Sequence, residues 1–519
     1  MALDSHLELV RSRFALVRAL GESRGDGVLD STWLAEDRLR GNGRFVLKPA
    51  PSTGAAGLVQ ELGRHAGLVH PHLGTPLGLL RDPSHDRLFL LSPFYPGGDL
   101  RAWLETGPPV VDRFKVWLDV LRAVARLHEA GLIHRDLKLE NVVLDDSGAA
   151  RVIDLGLATG NAEAGDGLSG SAMTLAPELL RGEAVTSAVD AFACGVIGYE
   201  LLSGRAPWPG DPLEQLRRRA AGEPPIPFKA AGTVPRAAEL ARTLGLLLAD
   251  SADARPSVPD TLRLLADGPI ETRAGLLSRL DAVGFLGRPR VAAAVDATLR
   301  GLEDGRAALP IVLWLVGGPG EGRSTIAAAV RTRAQAAGFE SPDPSPPGDA
   351  ASLGAWLGLS SHFATGETSP DSVADALVQA SRDVPFALVL DDAGRSPAAL
   401  SLVATAVRLS TALTPTRLAL VVLVRPEDLK HGFMARFRDD IVRLAESTTL
   451  DLGLLDQAAV SELVARLSPY HPVPTGFSES LRERTGGHPT LLRAALEALI
   501  EQDLAPLVTG QPLPDLFPT

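Results

Sequence analysis

Hydrophobic residues in this chain change their spacing twice, and that change limits the architectures open to it. Up to about residue 105 the apolar runs are short, as in "STWLAED", "GRFVLKPA" and "RLFLLSPF". Gly, Asn, Asp and Pro flank them, which predicts strands around one helix. From about 111 to 265 apolar residues recur three and four apart, as in "VDRFKVWLDVLRAVARLHEAG", the period of an amphipathic helix. Beyond the joining segment "DGPIETRAGLLSRLDAVG", apolar strands and helices alternate. "PIVLWLVGG", "PFALVLDD" and "RLALVVLVR" suit the interior of a parallel sheet. The pattern is multidomain: a strand-rich lobe, a larger helical lobe, then an α/β layer. The opening "MALDSHLELVRSRFAL" predicts an amphipathic helix and lacks the apolar run of a signal peptide. "ESPDPSPPGDA" predicts a loop, and no repeat of fixed period is present.

At 519 residues, 45% of them hydrophobic, the chain exceeds one ordinary domain. A formal charge of -12 weighs against nucleic acid as a partner. No stretch has the length and apolarity of a membrane span. The single cysteine, Cys194 in "DAFACGVIGYELL", can form no internal disulfide and is expected to be a packed helix residue. A reducing, cytoplasmic location is expected.

Phosphoryl transfer requires a clamped nucleotide, a placed magnesium ion and an oriented acceptor hydroxyl. The residues for each task occur in order. In "FVLK", Lys48 stands on a strand where an ammonium can meet phosphates, and Glu61 of "LVQELGRHAGLVHPHLG" can pair with it. In "HRDLKLEN", Asp136 can accept the hydroxyl proton, Lys138 can neutralise the moving phosphoryl group, and Asn141 can hold magnesium. "DLG" supplies Asp154 as a second magnesium ligand, followed by Leu155. His134 is expected to pack and bond local backbone. His65, His70 and His72 lie in a loop rather than in a metal site.

On these motifs residues 10–266 resemble a eukaryotic-like serine/threonine protein kinase of the bacterial type. The resemblance implies a bilobal α+β fold, ATP and Mg2+ as cofactors, and protein substrates with Ser or Thr acceptors. It extends to "SPFYPGGDL", where it implies that the Pro93 carbonyl and Tyr95 amide meet adenine and that Asp99 lies near the ribose. "APE" at 176–178 with Arg255 resembles a buried ion pair, Asp190 is expected to bond the catalytic-loop backbone, and Lys138 indicates serine or threonine acceptors. Ser171 stands where the family places a hydroxyl beside the base. The glycine loop departs from the family pattern. "LGESRGDGVLDSTWLAED" offers Gly21, Gly25 and Gly27 to the nucleotide, then Ser31 in place of a glycine, with acidic Glu22, Asp26 and Asp30 opposed by Arg24. Negative charge beside a triphosphate weakens the grip. Arg135 pairs either with a phosphorylated activation loop, with Ser169 the candidate among Thr159, Ser169, Ser171 and Thr174, or with Glu163 or Asp166.

"VGGPGEGRST" follows an apolar strand and precedes a helix, the setting of a phosphate-cradling loop. Gly317 and Gly322 expose backbone amides, while Ser324 and Thr325 stand at the helix start with Ser324 a magnesium ligand. Arg323 replaces the motif's lysine, keeping charge in a bulkier, planar form. "FALVLDD" supplies Asp391 for magnesium and Asp392 to orient water, and Arg425 can sense the terminal phosphate. With "FLGRPR" before and Gly487, His488 and Pro489 behind, residues 284–500 resemble the AAA-like signal-transduction ATPases. That resemblance implies an α/β P-loop NTPase domain at 284–445 and a helical lid at 446–506. A linker at 267–283 precedes them and a tail at 507–519 follows, and self-association would run through the ATPase module.

The expected function is a serine/threonine kinase regulated by this attached nucleotide-binding switch. The alternative is a pseudokinase scaffold or a nucleotide-dependent switch without phosphotransfer. Complete catalytic-loop residues favour the first; the acidic glycine loop favours the second.

Overall fold

A computed structural model describes residues 8–9, 14–20, 28–37, 43–50, 61–62, 68–82, 87–155, 159–160, 174–234, 236–265, 272–281, 284–303, 310–349, 352–357, 359, 369–412, 416–430, 432–467 and 473–501. Gly21, Gly25, Gly27, Glu22, Arg24, Asp26, His65, Glu163, Asp166, Ser169 and Ser171 lie outside the described residues. Two compact units make up the chain. One comprises residues 1–67, 77–91 and 279–519, the other 68–76 and 92–278.

The first unit holds two sheets. Strands β1 (Glu8–Leu9), β2 (Phe14–Ala19), β3 (Trp33–Asp37), β4 (Gly43–Pro49), β5 (Gly78–Asp82) and β6 (Arg87–Pro93) form a six-stranded sheet in the order β1-β2-β3-β4-β6-β5. Among the described residues of the opening segment, 8–9 and 14–19 are strands and not the amphipathic helix expected there. Phe14 is the reason. Its ring is fully buried with Trp33, Ala35, Leu47 and Phe89 and meets Phe45 edge-on at 6.3 Å, a contact that tertiary packing rewards and local periodicity does not reveal.

The second sheet of this unit is built from β11 (Ile311–Val316), β12 (Phe386–Leu390), β13 (Leu418–Val424) and β14 (Glu446–Asp451) in the order β12-β13-β11-β14, all pairs parallel. β12 and β13 are buried along their whole length, as a sheet covered on both faces requires. Trp314, Leu388 and Val422 join the helices Pro370–Asp383, Pro397–Ala412 and Gly432–Leu444 on one face. Leu313, Val389 and Val421 join Pro289–Glu303 and Arg323–Ala336 on the other. Residues 446–451 were expected to open a helical lid; they are instead the edge strand β14. "ESTTLD" is largely exposed and carries no apolar run, so nothing but its pairing with β11 marks it as a strand. Helices Gln457–Leu467, Phe477–Thr485 and Pro489–Glu501 follow. The Pro-rich segment is a loop as expected, anchored where the Asp391 N–H donates to the Pro344 carbonyl at 2.8 Å.

The second unit is mainly helical. Its centre is the helix Ala188–Ser203, buried from Val189 to Leu202. The helix Val110–Glu129 turns Val116, Trp117, Val120, Leu121 and Val124 inward, three and four apart. Trp117 lies against Gly198, where a Cβ would overlap its ring, and its indole N–H donates to the Cys194 carbonyl at 2.9 Å. Cys194 is buried, and burial pushes its thiol pKa well up. It is a packed residue, as expected. Short strands β7 (Leu132–Ile133), β8 (Val142–Leu144), β9 (Ala150–Val152) and β10 (Thr159–Gly160) pair as β8 with β9 and β7 with β10. Among the described residues, no helix is long and apolar enough to cross a membrane.

Residues 68–76 belong to this second unit through backbone bonds from Gly74 N–H to the Val152 carbonyl and from Val152 N–H to the His72 carbonyl, both 2.8 Å. His72 Nδ1 donates to the Ala150 carbonyl at 3.0 Å, and its Nε2 lies 3.4 Å from Asp119. Burial lowers the His72 pKa below 6.5, and the neighbouring Asp119 only partly offsets it. The unfolded chain therefore binds a proton here more readily than the folded one. This contribution to stability is complete above pH 6.5 and is lost as pH falls through the lower folded-state value. Urea titrations at stepped pH should show the second unit weakening below 6.5, with a shallower slope in His72→Asn, which can still donate to Ala150.

Candidate active site

Asp190, in the first turn of the buried central helix, organises the loop that follows β7. Its Oδ2 accepts the His134 N–H at 2.8 Å and its Oδ1 the Arg135 N–H at 3.0 Å, while His128 Nε2 lies 2.9 Å from Oδ2. Burial alone would raise the pKa of this carboxyl. The His128 hydrogen bond and charge, with the loop amides, outweigh that and hold it below the usual carboxylate range. Arg135, thus tethered, takes the left-handed backbone region at φ 70°. His134 is fully buried and its Nε2 donates to the Ile153 carbonyl at 3.3 Å, the packing role expected of it.

Beyond that turn Lys138 Nζ donates to Asp136 Oδ2 at 2.9 Å. Asn141 Nδ2 donates to the same oxygen at 2.9 Å and to the Asp136 carbonyl at 2.7 Å. Two acceptors on one amide group identify it as the NH2, so the Asn141 oxygen points the other way. That is the donor a hard cation such as magnesium takes, and this part of the site fits the ion. The Asn141 backbone carbonyl accepts the Ile153 N–H at 2.9 Å, linking the loop to the strand that leads to Asp154. Asp154 is in the left-handed region at φ 66°, and Leu155 is fully buried.

In the other unit, alternation along β4 buries Leu47 and turns Lys48 to the opposite face. There Lys48 Nζ meets both oxygens of buried Glu61, at 3.2 and 2.9 Å. Asp30, one of the acidic residues near the glycine loop, pairs with Arg87 at 2.6 Å. Its charge is therefore compensated. Pro93 ends β6, and the Tyr95 ring lies 5.2 Å from the Arg151 guanidinium. The Asp99 carboxylate caps the helix Leu100–Glu105, accepting the Ala102 N–H at 2.9 Å. Glu178 and Arg255 form the buried bidentate pair expected of them, at 2.6 and 2.7 Å, over the Phe192 ring.

At the C-terminal ends of the parallel strands, the loop 317–322 leads from β11 into the helix Arg323–Ala336. Arg323 turns back onto its own loop, donating to the Gly317 and Gly318 carbonyls. Its Nη2 is 4.0 Å from Asp392 Oδ1, which Arg425 approaches to 3.7 Å; Arg395 reaches Oδ2 at 3.1 Å. Ser324 and Thr325 are exposed at the helix start, and Asp391 ends the run from β12. The structure thus brings Gly317, Gly322, Arg323, Asp392 and Arg425 together around one loop. Their fit to a phosphate group is complicated by Glu321, whose Oε2 accepts the Gly318 N–H at 2.8 Å.

Several contributors lie beyond the sequence-based set. His128 meets Asp190 across 62 positions, a separation that carries no local signal. Arg101 joins Glu140 at 3.0 Å to Glu200 at 2.9 Å beside Lys138. Arg288 donates to the Glu321 carbonyl at 2.6 Å and the Gly453 carbonyl at 3.1 Å. Only Glu321 left a visible trace, as a carboxylate between two glycines of a phosphate-type loop.

Residues 46–261 match the family model of the protein kinase domain. The chain is 32% identical over 262 residues to a DNA damage-responsive serine/threonine-protein kinase of Deinococcus radiodurans, 48% of this chain and 38% of that protein. It is 29% identical over 178 residues to the serine/threonine-protein kinase PknB of Mycolicibacterium smegmatis, 32% of this chain and 28% of that protein. Over 151 residues it is 39% identical to the mouse serine/threonine-protein kinase N3, 28% of this chain and 17% of that protein. The chain thus spans well under half the length of each of these relatives.

Asp190→Asn replaces an acceptor of two amides with a group that must turn one N–H toward another donor. It should cost about 3 kcal/mol, the scale of breaking a buried charged network. Urea unfolding measures the loss. Amide exchange at His134 and Arg135 should accelerate more than in the Val110–Glu129 helix.

Proposed function

We propose that this chain, which carries a protein kinase domain of the serine/threonine type at residues 46–261, transfers the terminal phosphoryl group of ATP to serine or threonine hydroxyls of a protein substrate. Its C-terminal α/β region would regulate the transfer. The observation that carries this reading is the state of Asp136. Among the described residues, Lys138 and Asn141 both donate to Oδ2, so Oδ1 is left as the oxygen that can take a proton from an acceptor hydroxyl. Geometry of this kind suits a general base that is held in place by one oxygen and works with the other.

Bound ATP and its magnesium ions supply the phosphoryl group and neutralise the phosphate charge. The chain's own residues do the positioning. Asp136 orients the hydroxyl and receives its proton as the oxygen attacks the terminal phosphorus, whose bond to the bridging oxygen breaks so that ADP leaves. Lys138, 2.9 Å from Asp136, sits where negative charge accumulates during transfer. Asn141 and Asp154 are the oxygen donors for the metal, and Lys48, fixed by Glu61, is the cation for the phosphates. Lys138 directly after "HRDL" supports serine and threonine rather than tyrosine as acceptors. The compensation of Asp30 by Arg87 removes one of the acidic charges that favoured a non-catalytic scaffold.

For the C-terminal region we read a phosphate-loop switch. Support comes from the loop after β11 and from Asp391, Asp392 and Arg425 at the ends of parallel strands, where open α/β sheets bind ligands. Self-association through this region is part of the same reading.

Asp136→Asn keeps an acceptor for Lys138 and Asn141, so the loop should hold its shape. Phosphorylation should fall by at least about 100-fold, the scale of a lost general base, while ATP affinity stays within a small factor. Transfer of radiolabelled phosphate and calorimetric ATP binding on the two proteins check both halves. Lys48→Met, which leaves Glu61 buried without its cation, should weaken ATP binding as well as transfer. Wild-type activity in that variant would reduce Lys48 to a structural ion pair.

A further inference from the structure

The loop 317–322 is held from several sides at once. Arg323 binds the Gly317 and Gly318 carbonyls. Thr490 binds the Gly320 carbonyl through its hydroxyl at 2.8 Å and its N–H at 3.3 Å. Arg288 binds the Glu321 carbonyl. Gly320 adopts φ 75°, and its α-carbon faces the His488 ring so closely that no side chain could be added there. Arg288 and Thr490 from distant segments, with the adjoining Arg323, therefore set the backbone shape of this loop.

In a loop so braced, the amides are the groups that face an anion, and one of them is already taken. The Glu321 carboxylate folds back over three residues and accepts the Gly318 N–H at 2.8 Å. A carboxylate oxygen on a loop amide does what a phosphate oxygen would do there: it brings negative charge to an exposed N–H near a helix N-terminus. Arg323, the cation of the motif, commits its Nη1 to the two carbonyls. Its Nη2 stands 4.0 Å from Asp392 Oδ1, beside a carboxylate. Its Nε also has no partner among the described residues, which marks the present arrangement as a compromise for that side chain.

We infer that Glu321 is a built-in occupant of the phosphate loop, so that a nucleoside triphosphate binds only by displacing it. The inference rests on the reading of residues 317–325 as a phosphate-type loop and adds its regulation. Because the carbonyls are pinned independently, release of Glu321 requires rotation of one side chain and not a rearrangement of the loop. The wild-type loop is therefore a low-affinity seat held closed by one carboxylate. Its response threshold is set by the strength of that single charge-assisted bond.

The full chain should be photolabelled with azido-ATP over a concentration series and the labelled peptides mapped, with label on residues 46–261 as the internal reference. Glu321→Ala removes the competing carboxylate. Glu321→Gln keeps the shape and a neutral acceptor, so it guards against a folding artefact. Half-saturation of label in residues 284–501 should fall by about tenfold in Glu321→Ala, the worth of one charged hydrogen bond, with Glu321→Gln between it and wild type. Equal half-saturation in all three proteins would overturn the role of Glu321 and leave the phosphate-loop reading standing. If residues 284–501 take no label in any of them while residues 46–261 do, both the occupant and the phosphate loop are refuted.

Discussion

A carboxylate with 1% of its side chain exposed must have both oxygens hydrogen-bonded, and Asp190 meets that demand with two successive loop amides and His128. The consequence is geometric. Consecutive N–H groups can point at one carboxylate only if the backbone turns sharply, and Arg135 pays with a left-handed conformation that costs a non-glycine residue about 1 kcal/mol. Two charge-assisted hydrogen bonds exceed that cost. The next residue, Asp136, therefore leaves the turn in a direction set by a buried anion and not by its own contacts.

Asp190 in turn owes its position to packing. It stands in the first turn of the Ala188–Ser203 helix, where the helix dipole favours a negative charge. That helix can approach Val110–Glu129 only because Gly198 offers no side chain to the Trp117 ring. The same approach brings His128, in the last turn of Val110–Glu129, within reach of the carboxylate. A close helix contact, a buried acid and a strained turn thus form one chain of causes ending at Asp136 Oδ1. The Arg255 and Glu178 pair braces the same helix, since Arg255 also donates to the Ala188 carbonyl at 3.0 Å.

Much of this was legible in the sequence where the signal is local. "HRDLKLEN" puts Asp136, Lys138 and Asn141 within six residues, so one turn brings them together whatever surrounds it. Lys48 was legible through strand alternation. The apolar runs of β11, β12 and β13 declared a parallel sheet because burial on both faces leaves no polar positions. β14 was not legible, since its polar, largely exposed sequence resembles a loop and only the edge of β11 makes it a strand. The N-terminal strands were hidden for a related reason: charges spaced among apolar residues fit either period, and the choice is made by Phe14 entering a core formed by β3, β4 and β6. His128, Arg101 and Arg288 act across separations that no window of sequence spans.

The loop around Asp136 and the loop after β11 differ in where their hydrogen bonds end. Around Asp136 the supporting bonds converge on one carboxylate oxygen and stop, leaving the other available for chemistry. In the loop after β11 the supporting bonds reach the carbonyls at 317, 318, 320 and 321, and an internal carboxylate then takes an amide as well. Both arrangements are braced by several hydrogen bonds, yet the bracing has opposite consequences. Preorganisation that stops short of the reacting atom favours turnover, because nothing must be broken before the substrate can engage. Preorganisation that includes an internal ligand imposes a threshold, because each external ligand must first replace a bond the protein already makes. On the functional reading proposed for the two regions, a site open to its substrate and a site that must first be vacated draw on the same small set of interactions.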